Sequence, residues 1–150
     1  MTANRAAELS VERWLRGQGL GPQRFDARRR RRGKTPDFRV DDRRGGSFLV
    51  EVKGLTGAAV APFALAAKIA RARAQFDGVN QGGRLANVLV LVAAAPDRLR
   101  PLLDDRATAG VDLVVGLADD EHARAVALPR RRTGRHDAYL ASVLAVGEDP

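Results

Sequence analysis

The stretch that most constrains the fold is a pair of short alternating runs on either side of a turn-forming sequence. The runs read TPDFRVD at 35–41 and SFLVEVK at 47–53, and DRRGG connects them at 42–46. Alternation of apolar and polar residues is typical of β-strands, and paired glycines are typical of tight connections. The sequence therefore predicts an antiparallel β-hairpin with Arg44 at the centre of its loop.

The register of this hairpin places two carboxylates opposite each other. With the loop centred on Arg44, Phe38 lies across from Val50, and Asp37 lies across from Glu51. Side chains alternate between the two faces of a strand, so the apolar residues share one face and the carboxylates share the other. Directly opposed side chains have Cβ atoms roughly 5 Å apart, where like charges are destabilising. A cation close to both carboxylates is therefore expected.

The chemistry of the carboxylate face matches a site for a divalent metal ion. Hard cations such as Mg²⁺ bind carboxylate and carbonyl oxygens and keep water in their other positions. The hairpin can supply Asp37, Glu51 and the carbonyl of Val52 as ligands. Lys53, on the same face, could orient or deprotonate an attacking water, or offset charge on a reacting phosphate.

A charged outer face on a surface hairpin is the alternative interpretation of these residues. Three features favour a functional site: Asp37 follows a proline, Glu51 lies in a strongly β-forming run, and lysine is scarce. The chain has only three lysines, at positions 34, 53 and 68, beside many arginines. Lysine at position 53 therefore favours a specific role for that side chain.

These residues resemble the signature of the PD-(D/E)xK nuclease superfamily. Pro36-Asp37 is similar to the PD element, and Glu51-Val52-Lys53 is similar to the (D/E)xK element. The resemblance implies an α/β protein with a restriction-endonuclease-like αβββαβ core, in which helices flank a central mixed sheet. It also implies that the two carboxylates hold Mg²⁺ or Mn²⁺ and that Lys53 assists the attacking water in phosphodiester hydrolysis.

The same superfamily often adds a glutamate from its first helix, and Glu8 is the matching residue. Apolar residues at helical spacing predict a helix over 4–18, and Glu8, Val11, Trp14 and Leu15 before Gly17 resemble the family's spacing. Glu8 is then a further catalytic candidate. Its alternative role is that of an exposed glutamate that complements the helix dipole.

Composition excludes several other kinds of site. The chain of 150 residues has no cysteine, which rules out disulfides and thiolate zinc sites within it. Its two histidines, His122 and His136, are distant in sequence from the hairpin. No apolar run is long enough for a membrane span, and the first residues lack a signal-peptide pattern, so we expect a cytoplasmic protein without a membrane partner.

Basic residues predict a nucleic-acid partner, with DNA favoured over RNA. The net charge is +8, and clustered cations neutralise the phosphates that dominate nucleic-acid affinity. A flexible, solvated segment is the alternative for each arginine run. The candidate contacts are Arg28, Arg29, Arg30, Arg31, Arg32, Lys34, Lys68, Arg71, Gln75, Arg130, Arg131 and Arg132.

The remaining pattern predicts a single domain whose core covers about 4–118, followed by a basic extension over 119–150. In the predicted helix at 62–76, Phe63, Ala66, Ile69, Ala70 and Phe76 form the buried stripe, and Lys68, Arg71 and Gln75 share a polar face. The other predicted elements are a first strand (23–30), buried strands (87–94 and 111–117), a helix between them (96–107) and a closing helix (137–146).

The sequence thus predicts a metal-dependent nuclease that cleaves DNA by structure or with low sequence specificity, as an endonuclease or exonuclease. The resemblance implies low specificity, because the larger insertion that the superfamily often uses for target recognition is missing from this sequence. A homodimer or a partner protein could supply recognition. A non-catalytic nucleic-acid-binding or protein-interaction module on the same fold is one alternative. An RNA-cleaving toxin or defence nuclease is another.

Overall fold

The computed structural model describes residues 3–25, 35–55, 61–104, 106–118, 125–128 and 134–146. In this part of the chain the protein is α/β, with one open mixed sheet and helices on both of its faces. The helices are α1 (Ala3–Gly17), α2 (Pro62–Asp77), a 3₁₀ helix (Pro96–Leu102) and α3 (Asp137–Val143). The strands are β1 (Gly21–Arg24), β2 (Phe38–Asp41), β3 (Ser47–Gly54), β4 (Ala86–Ala93), β5 (Leu113–Ala118) and β6 (Ala125–Leu128).

The six strands that the structure describes lie in the sheet in the order in which they occur in the chain. β1, β2 and β3 are antiparallel neighbours, β4 and β5 continue the sheet in parallel, and β6 closes it as an antiparallel edge strand. The predicted hairpin is confirmed, and the strands predicted to be buried continue the sheet beside it. β3 is therefore a central strand with β2 on one side and β4 on the other.

The hairpin has the register that its turn sequence predicts. Phe38 pairs with Val50 and Asp41 pairs with Ser47. Within the turn, the Asp42 carboxylate accepts hydrogen bonds from the backbone N–H groups of Arg44 (2.6 Å) and Gly46 (3.0 Å). Gly45 has φ +87°, a conformation that glycine adopts without strain. These local bonds fix the loop length, and the loop length fixes which residues face each other across the strands.

Each face of the sheet has its own hydrophobic core. On one face, the alternating residues of β3 pack against α1 and α3; representative buried residues there are Val11, Leu15, Phe48, Val50, Val52 and Leu140. On the other face, the sheet packs against α2 and the 3₁₀ helix; representative buried residues there are Leu49, Leu65, Ile69, Phe76, Leu89 and Leu91. β3 is consequently buried on both sides, and so is its one acidic residue, Glu51, which is 1% exposed.

The first strand and the helix at 96–107 were predicted with the wrong bounds. β1 begins at Gly21, two residues before the predicted start, and its last strand residue is Arg24; residues 26–30 lie outside the described chain. The predicted helix at 96–107 is a 3₁₀ helix that ends at Leu102. Pro101 lies inside it, and a proline cannot donate the backbone hydrogen bond that would continue an α-helix.

The buried stripe of α2 was predicted only in part. Ile69 and Phe76 are buried as predicted, but Leu65 and Ala72 complete the stripe. Phe63, which was predicted to be buried, is 86% exposed, and Ala66 and Ala70 are exposed as well. Leu65 contacts the apolar side chains of β3 and β4 in the second core, so the sheet beneath the helix selects the face that is buried.

Residues beyond 118 contribute to the sheet and to the first core. β6 pairs with β5, with Gly116 opposite Val126. In α3, Leu140 is buried, and Leu144 just after the helix is buried beside it. The Tyr139 hydroxyl donates a 2.6 Å hydrogen bond to Asp42 Oδ2 in the hairpin turn. The closing helix was predicted over 137–146; it ends at Val143 and packs on the first core.

We expect Phe76→Ala to lower the free energy of unfolding by about 3–5 kcal/mol, because it removes a fully buried aromatic ring from the second core. Phe63→Ala is the matched control on the same helix, and it should change the unfolding free energy by less than about 0.5 kcal/mol because the ring is exposed. Urea denaturation of both variants measures the difference. Equal losses would contradict the observed phase of α2.

Candidate active site

Pro36 ends the ladder between β2 and β3 at the candidate site. Continuing the observed register by two positions beyond the Phe38–Val50 pair brings Pro36 opposite Val52. Proline has no backbone N–H, so it cannot donate a ladder hydrogen bond to the Val52 carbonyl. The N–H and C=O of one strand residue point to the same side. The Val52 carbonyl therefore faces the end of β2, where the carboxylates lie.

Side-chain hydrogen bonds replace the ladder where it ends. The backbone N–H of Val52 donates to Asp37 Oδ2 at 2.8 Å. In the other direction, the backbone N–H of Asp37 donates to Glu51 Oε1 at 3.0 Å. This pair of bonds joins the start of β2 to the middle of β3, and we call it the carboxylate clamp. The predicted juxtaposition of the two carboxylates is thus present in the fold.

Lys53 lies beside the clamp as the hairpin alternation predicts. Its Nζ is 2.9 Å from Glu51 Oε2, and its side chain is only 16% exposed. The same ammonium donates a 3.0 Å hydrogen bond to Gln75 Oε1 on α2, and Gln75 Nε2 donates to the Thr35 carbonyl at 3.3 Å. An ammonium has three N–H groups. Two are used by these contacts, so a third can point towards a ligand.

Glu8 of α1 joins the two carboxylates from the other side of β2. It is half-buried, and a hydrogen bond links its carboxyl to that of Asp37. Two arginines lie near its Oε2: Arg24 Nη1 at 3.6 Å and Arg5 Nη1 at 3.7 Å. Glu8 is therefore not a solvated dipole-complementing residue. It forms part of the same acidic cluster as Asp37 and Glu51.

Burial and mutual repulsion raise the pKa of two carboxyl groups in the cluster, Asp37 and Glu8. Burial raises the pKa of Asp37 from its ordinary 3.8 to about 7, and the hydrogen bond to Glu51 and the charge of Glu51 add to the effect. Burial likewise raises the pKa of Glu8 from 4.5 to about 7, followed in size by its hydrogen bond to Asp37 and the charge of Asp37. Glu51 has its own cation in Lys53, whereas no cationic side chain among the described residues lies within ion-pair distance of Asp37. The cluster therefore has a shortage of positive charge centred on Asp37.

The donor set of the site suits a hard divalent cation. Asp37, Glu51 and the Val52 carbonyl offer oxygen atoms, and each carboxylate oxygen in the clamp keeps a further lone pair. Among the residues that the structure describes, no group of three or more His, Cys, Asp or Glu side chains is arranged to enclose a metal ion. Mg²⁺ is commonly bound through one or two carboxylates, with waters and substrate phosphates completing its coordination. Two carboxylates and one carbonyl therefore fit such an ion without an all-protein cage.

The structure places the other predicted contact residues at varied distances from the clamp. Gln75 touches Lys53 directly. Lys68, two helical turns earlier on α2, is half-buried, and Arg71 is exposed. The remaining predicted contacts lie outside the described residues; they are Arg28, Arg29, Arg30, Arg31, Arg32, Lys34, Arg130, Arg131 and Arg132.

Arg24 is a site residue that the sequence did not reveal. Its guanidinium lies over the Phe38 ring, with Cζ 4.9 Å from the ring centroid, and approaches Glu8. Its Nη2 is buried and has no hydrogen-bond partner among the described residues. The pairing of Arg24 with Phe38 depends on the register of β1 against β2. The long intervening segment gives no sequence signal for that register.

We expect Asp37→Asn to be more stable than the wild type at pH 8, by on the order of 2–4 kcal/mol, with the gain vanishing near pH 4. The folded-state pKa of Asp37 is raised from 3.8 to about 7. The stability that protonated Asp37 contributes is therefore fully present below about pH 4 and is lost as the pH rises through 7. Asparagine stays uncharged at every pH, so the variant keeps its stability as the pH rises. Its side-chain oxygen can still accept the hydrogen bond from the Val52 N–H. Urea denaturation from pH 4 to 8 in EDTA measures the difference.

Asp97→Asn, at an exposed position of the 3₁₀ helix, is the matched control and should show no such pH-dependent gain. A difference between Asp37→Asn and the wild type that stays constant from pH 4 to 8 would contradict the charge shortage at Asp37.

Within the described residues, no helix is both long enough and apolar enough to cross a membrane. No protein-family model, curated protein or solved structure shows significant similarity to the chain.

Proposed function

We propose that the protein is a metal-dependent nuclease of the PD-(D/E)xK kind with a restriction-endonuclease-like core. The observation that carries the proposal is the convergence of Asp37, Glu51 and Lys53 where Pro36 ends the β2–β3 ladder. Glu8 and Gln75 reach the same point from helices on opposite faces of the sheet. The order α1-β1-β2-β3-α2-β4 supports the αβββαβ assignment.

The chain's own residues have distinct roles in the proposed hydrolysis. Asp37, Glu51 and the Val52 carbonyl would hold Mg²⁺ or Mn²⁺, which when bound polarises the phosphodiester and favours a nucleophilic water. Lys53 Nζ lies 2.9 Å from Glu51 Oε2, so this side chain is suited to donate a hydrogen bond to a phosphate oxygen or to the attacking water. Gln75 fixes Lys53 in that position. Glu8 accepts or releases a proton beside Asp37.

DNA is the proposed substrate, cleaved according to structure or with low sequence specificity. The chain has a net charge of +8, which favours association with a polyanion. The short connections within the described sheet, such as the hairpin turn between β2 and β3, leave little protein there to read base edges. A homodimer or a partner protein would be needed for sequence recognition, and RNA is the alternative substrate for the same chemistry.

One observation favours a second candidate, a non-catalytic binding module. The clamp is internally satisfied, because Val52 N–H, Asp37 N–H and Lys53 already occupy oxygens of the two carboxylates. A satisfied polar network of this kind can serve stability alone. Under this alternative, the protein would bind nucleic acid through its basic residues, and substitution of Glu51 would leave that binding unchanged.

Cleavage assays separate the two candidates. We expect the wild type to cleave at least one of supercoiled, linear, single-stranded or branched DNA, or structured RNA, with Mg²⁺ or Mn²⁺. Glu51→Gln and Lys53→Ala should each lower the rate about a hundredfold or more, since each removes a group acting on the reacting phosphate. Glu8→Gln should lower the rate about tenfold to a hundredfold through its action on Asp37.

Glu12→Gln is the matched control for Glu8→Gln, because Glu12 lies one turn further along α1 and, within the described chain, pairs with Arg16 alone in an exposed contact. It should cleave like the wild type. Cleavage that survives Glu51→Gln would contradict the proposal. Tight, salt-sensitive binding without cleavage of any substrate would favour the non-catalytic module.

Metal binding gives a second test that does not depend on cleavage. We expect millimolar Mg²⁺ or Mn²⁺ to raise the melting temperature of the wild type at pH 8 and to have little effect at pH 5.5. The proton competes with the cation for Asp37, whose pKa is about 7. Asp37→Asn should abolish the shift, whereas Asp97→Asn should retain it. Equal shifts in wild type and Asp37→Asn would place the cation elsewhere.

A further inference from the structure

A basic site lies near the acidic carboxylate clamp, on the α2 face of the sheet. It is a cavity of about 380 Å³ lined by Arg39, Val79, Asn80, Arg84 and Leu85, which we call the arginine pocket. Of these lining residues in the described chain, two are cationic and none is acidic. Neither arginine was among the candidate contacts that the sequence suggested.

The position of Arg39 ties the pocket to the candidate active site. Arg39 lies two residues after Asp37, so the two Cα atoms are about 7 Å apart along the chain. Arg39 pairs with Leu49, and the next position on that face of β3 is Glu51. Gln75 of α2 contacts Lys53, and Val79, just after α2, lines the pocket. The end of α2 therefore forms a wall common to both sites.

The main chain that carries Arg84 is held in place by hydrogen bonds. The buried side chain of Asn80 accepts from Leu85 N–H at 3.2 Å and donates to the Leu85 carbonyl at 2.8 Å. Gly83 has φ +64°, and its carbonyl lies 2.8 Å from His136 Nε2 of the segment before α3. These contacts fix a turn over residues 80–85. Arg84 is exposed on this turn.

Arg39 is only loosely engaged by other side chains. Its Nε is 3.9 Å from Asp41 Oδ1, and its Nη2 is 3.5 Å from Ser47 Oγ. Both distances are at or beyond the long end of hydrogen bonding, and the side chain is 54% exposed. This guanidinium can therefore bind an anion while giving up only weak contacts. Two guanidinium groups around one cavity match the oxygen geometry of a phosphate group.

We propose that the arginine pocket binds a backbone phosphate of the nucleic-acid strand, adjacent to the phosphate held at the carboxylate clamp. This rests on the proposed function, because a phosphate beside the clamp implies a strand that continues past it. The pocket sets the path of the strand along the end of α2. It recognises the phosphodiester backbone and not a base, in agreement with low sequence specificity.

The test is the salt dependence of binding to a fluorescent DNA duplex in EDTA, where cleavage does not occur. Each phosphate contact contributes about 0.9 to the slope of log affinity against log salt concentration. We expect Arg39→Gln and Arg84→Gln each to reduce the slope by up to about 0.9 and the affinity about tenfold. Arg98→Gln is the charge-matched control, since Arg98 is exposed on the 3₁₀ helix, and it should leave both unchanged.

The outcomes distinguish the pocket from the nuclease proposal. An unchanged slope in both variants, beside cleavage that depends on Glu51, would overturn the pocket and leave the nuclease proposal standing. A reduced slope without cleavage of any substrate would support the pocket and refute hydrolysis. Titration with inorganic phosphate alone tests whether the ligand is a free phosphate ion. If Arg39→Gln loses phosphate binding but keeps the wild-type salt slope for duplex binding, assignment of the pocket to the nucleic-acid backbone is overturned.

Discussion

The candidate site depends on how an antiparallel ladder ends. Pro36 cannot donate to Val52, so the regular pairing of β2 with β3 stops at Phe38. Beyond that point, the Asp37 carboxylate accepts a hydrogen bond from Val52 N–H, and the Asp37 N–H donates one to the Glu51 carboxylate. The same proline that ends the pairing also leaves the Val52 carbonyl facing the carboxylates. One backbone constraint thus accounts for the clamp.

Burial gives the clamp its chemical character. β3 is central in the sheet, and α2 covers the face on which Glu51 lies, so two carboxylates and a lysine are held away from water. In that environment the charge of Asp37 is costly, and its pKa rises to about 7. On a surface hairpin with the same sequence, Asp37 would be hydrated and its pKa would lack this rise due to burial. The position of the hairpin in the sheet is therefore what raises the pKa of Asp37.

Several features of the fold could be predicted because they depend on local sequence. Paired glycines and the Asp42 carboxylate fix the hairpin loop, and period-two alternation fixes the faces of its strands. The apolar runs of β4 and β5 indicate strands that are buried on both faces, and this pattern too is local in the sequence. The wrong predictions concern elements with two plausible apolar faces or a proline within them. α2 offers Phe63 on one face and Leu65 on another, and only the sheet beneath it selects Leu65.

By itself the sequence determined the pairing of Asp37 with Glu51 and the position of Lys53 beside them, because these residues lie within one hairpin and its register is local. Only the tertiary structure decided which distant groups join them. Glu8 and Gln75 reach the clamp from α1 and α2, and Arg24 of β1 reaches Glu8. Their approach depends on how whole helices and strands pack, and no spacing along the chain encodes that distance. The arginine pocket is of the same kind, since Arg39 and Arg84 become neighbours only when the turn after α2 folds back beside β2.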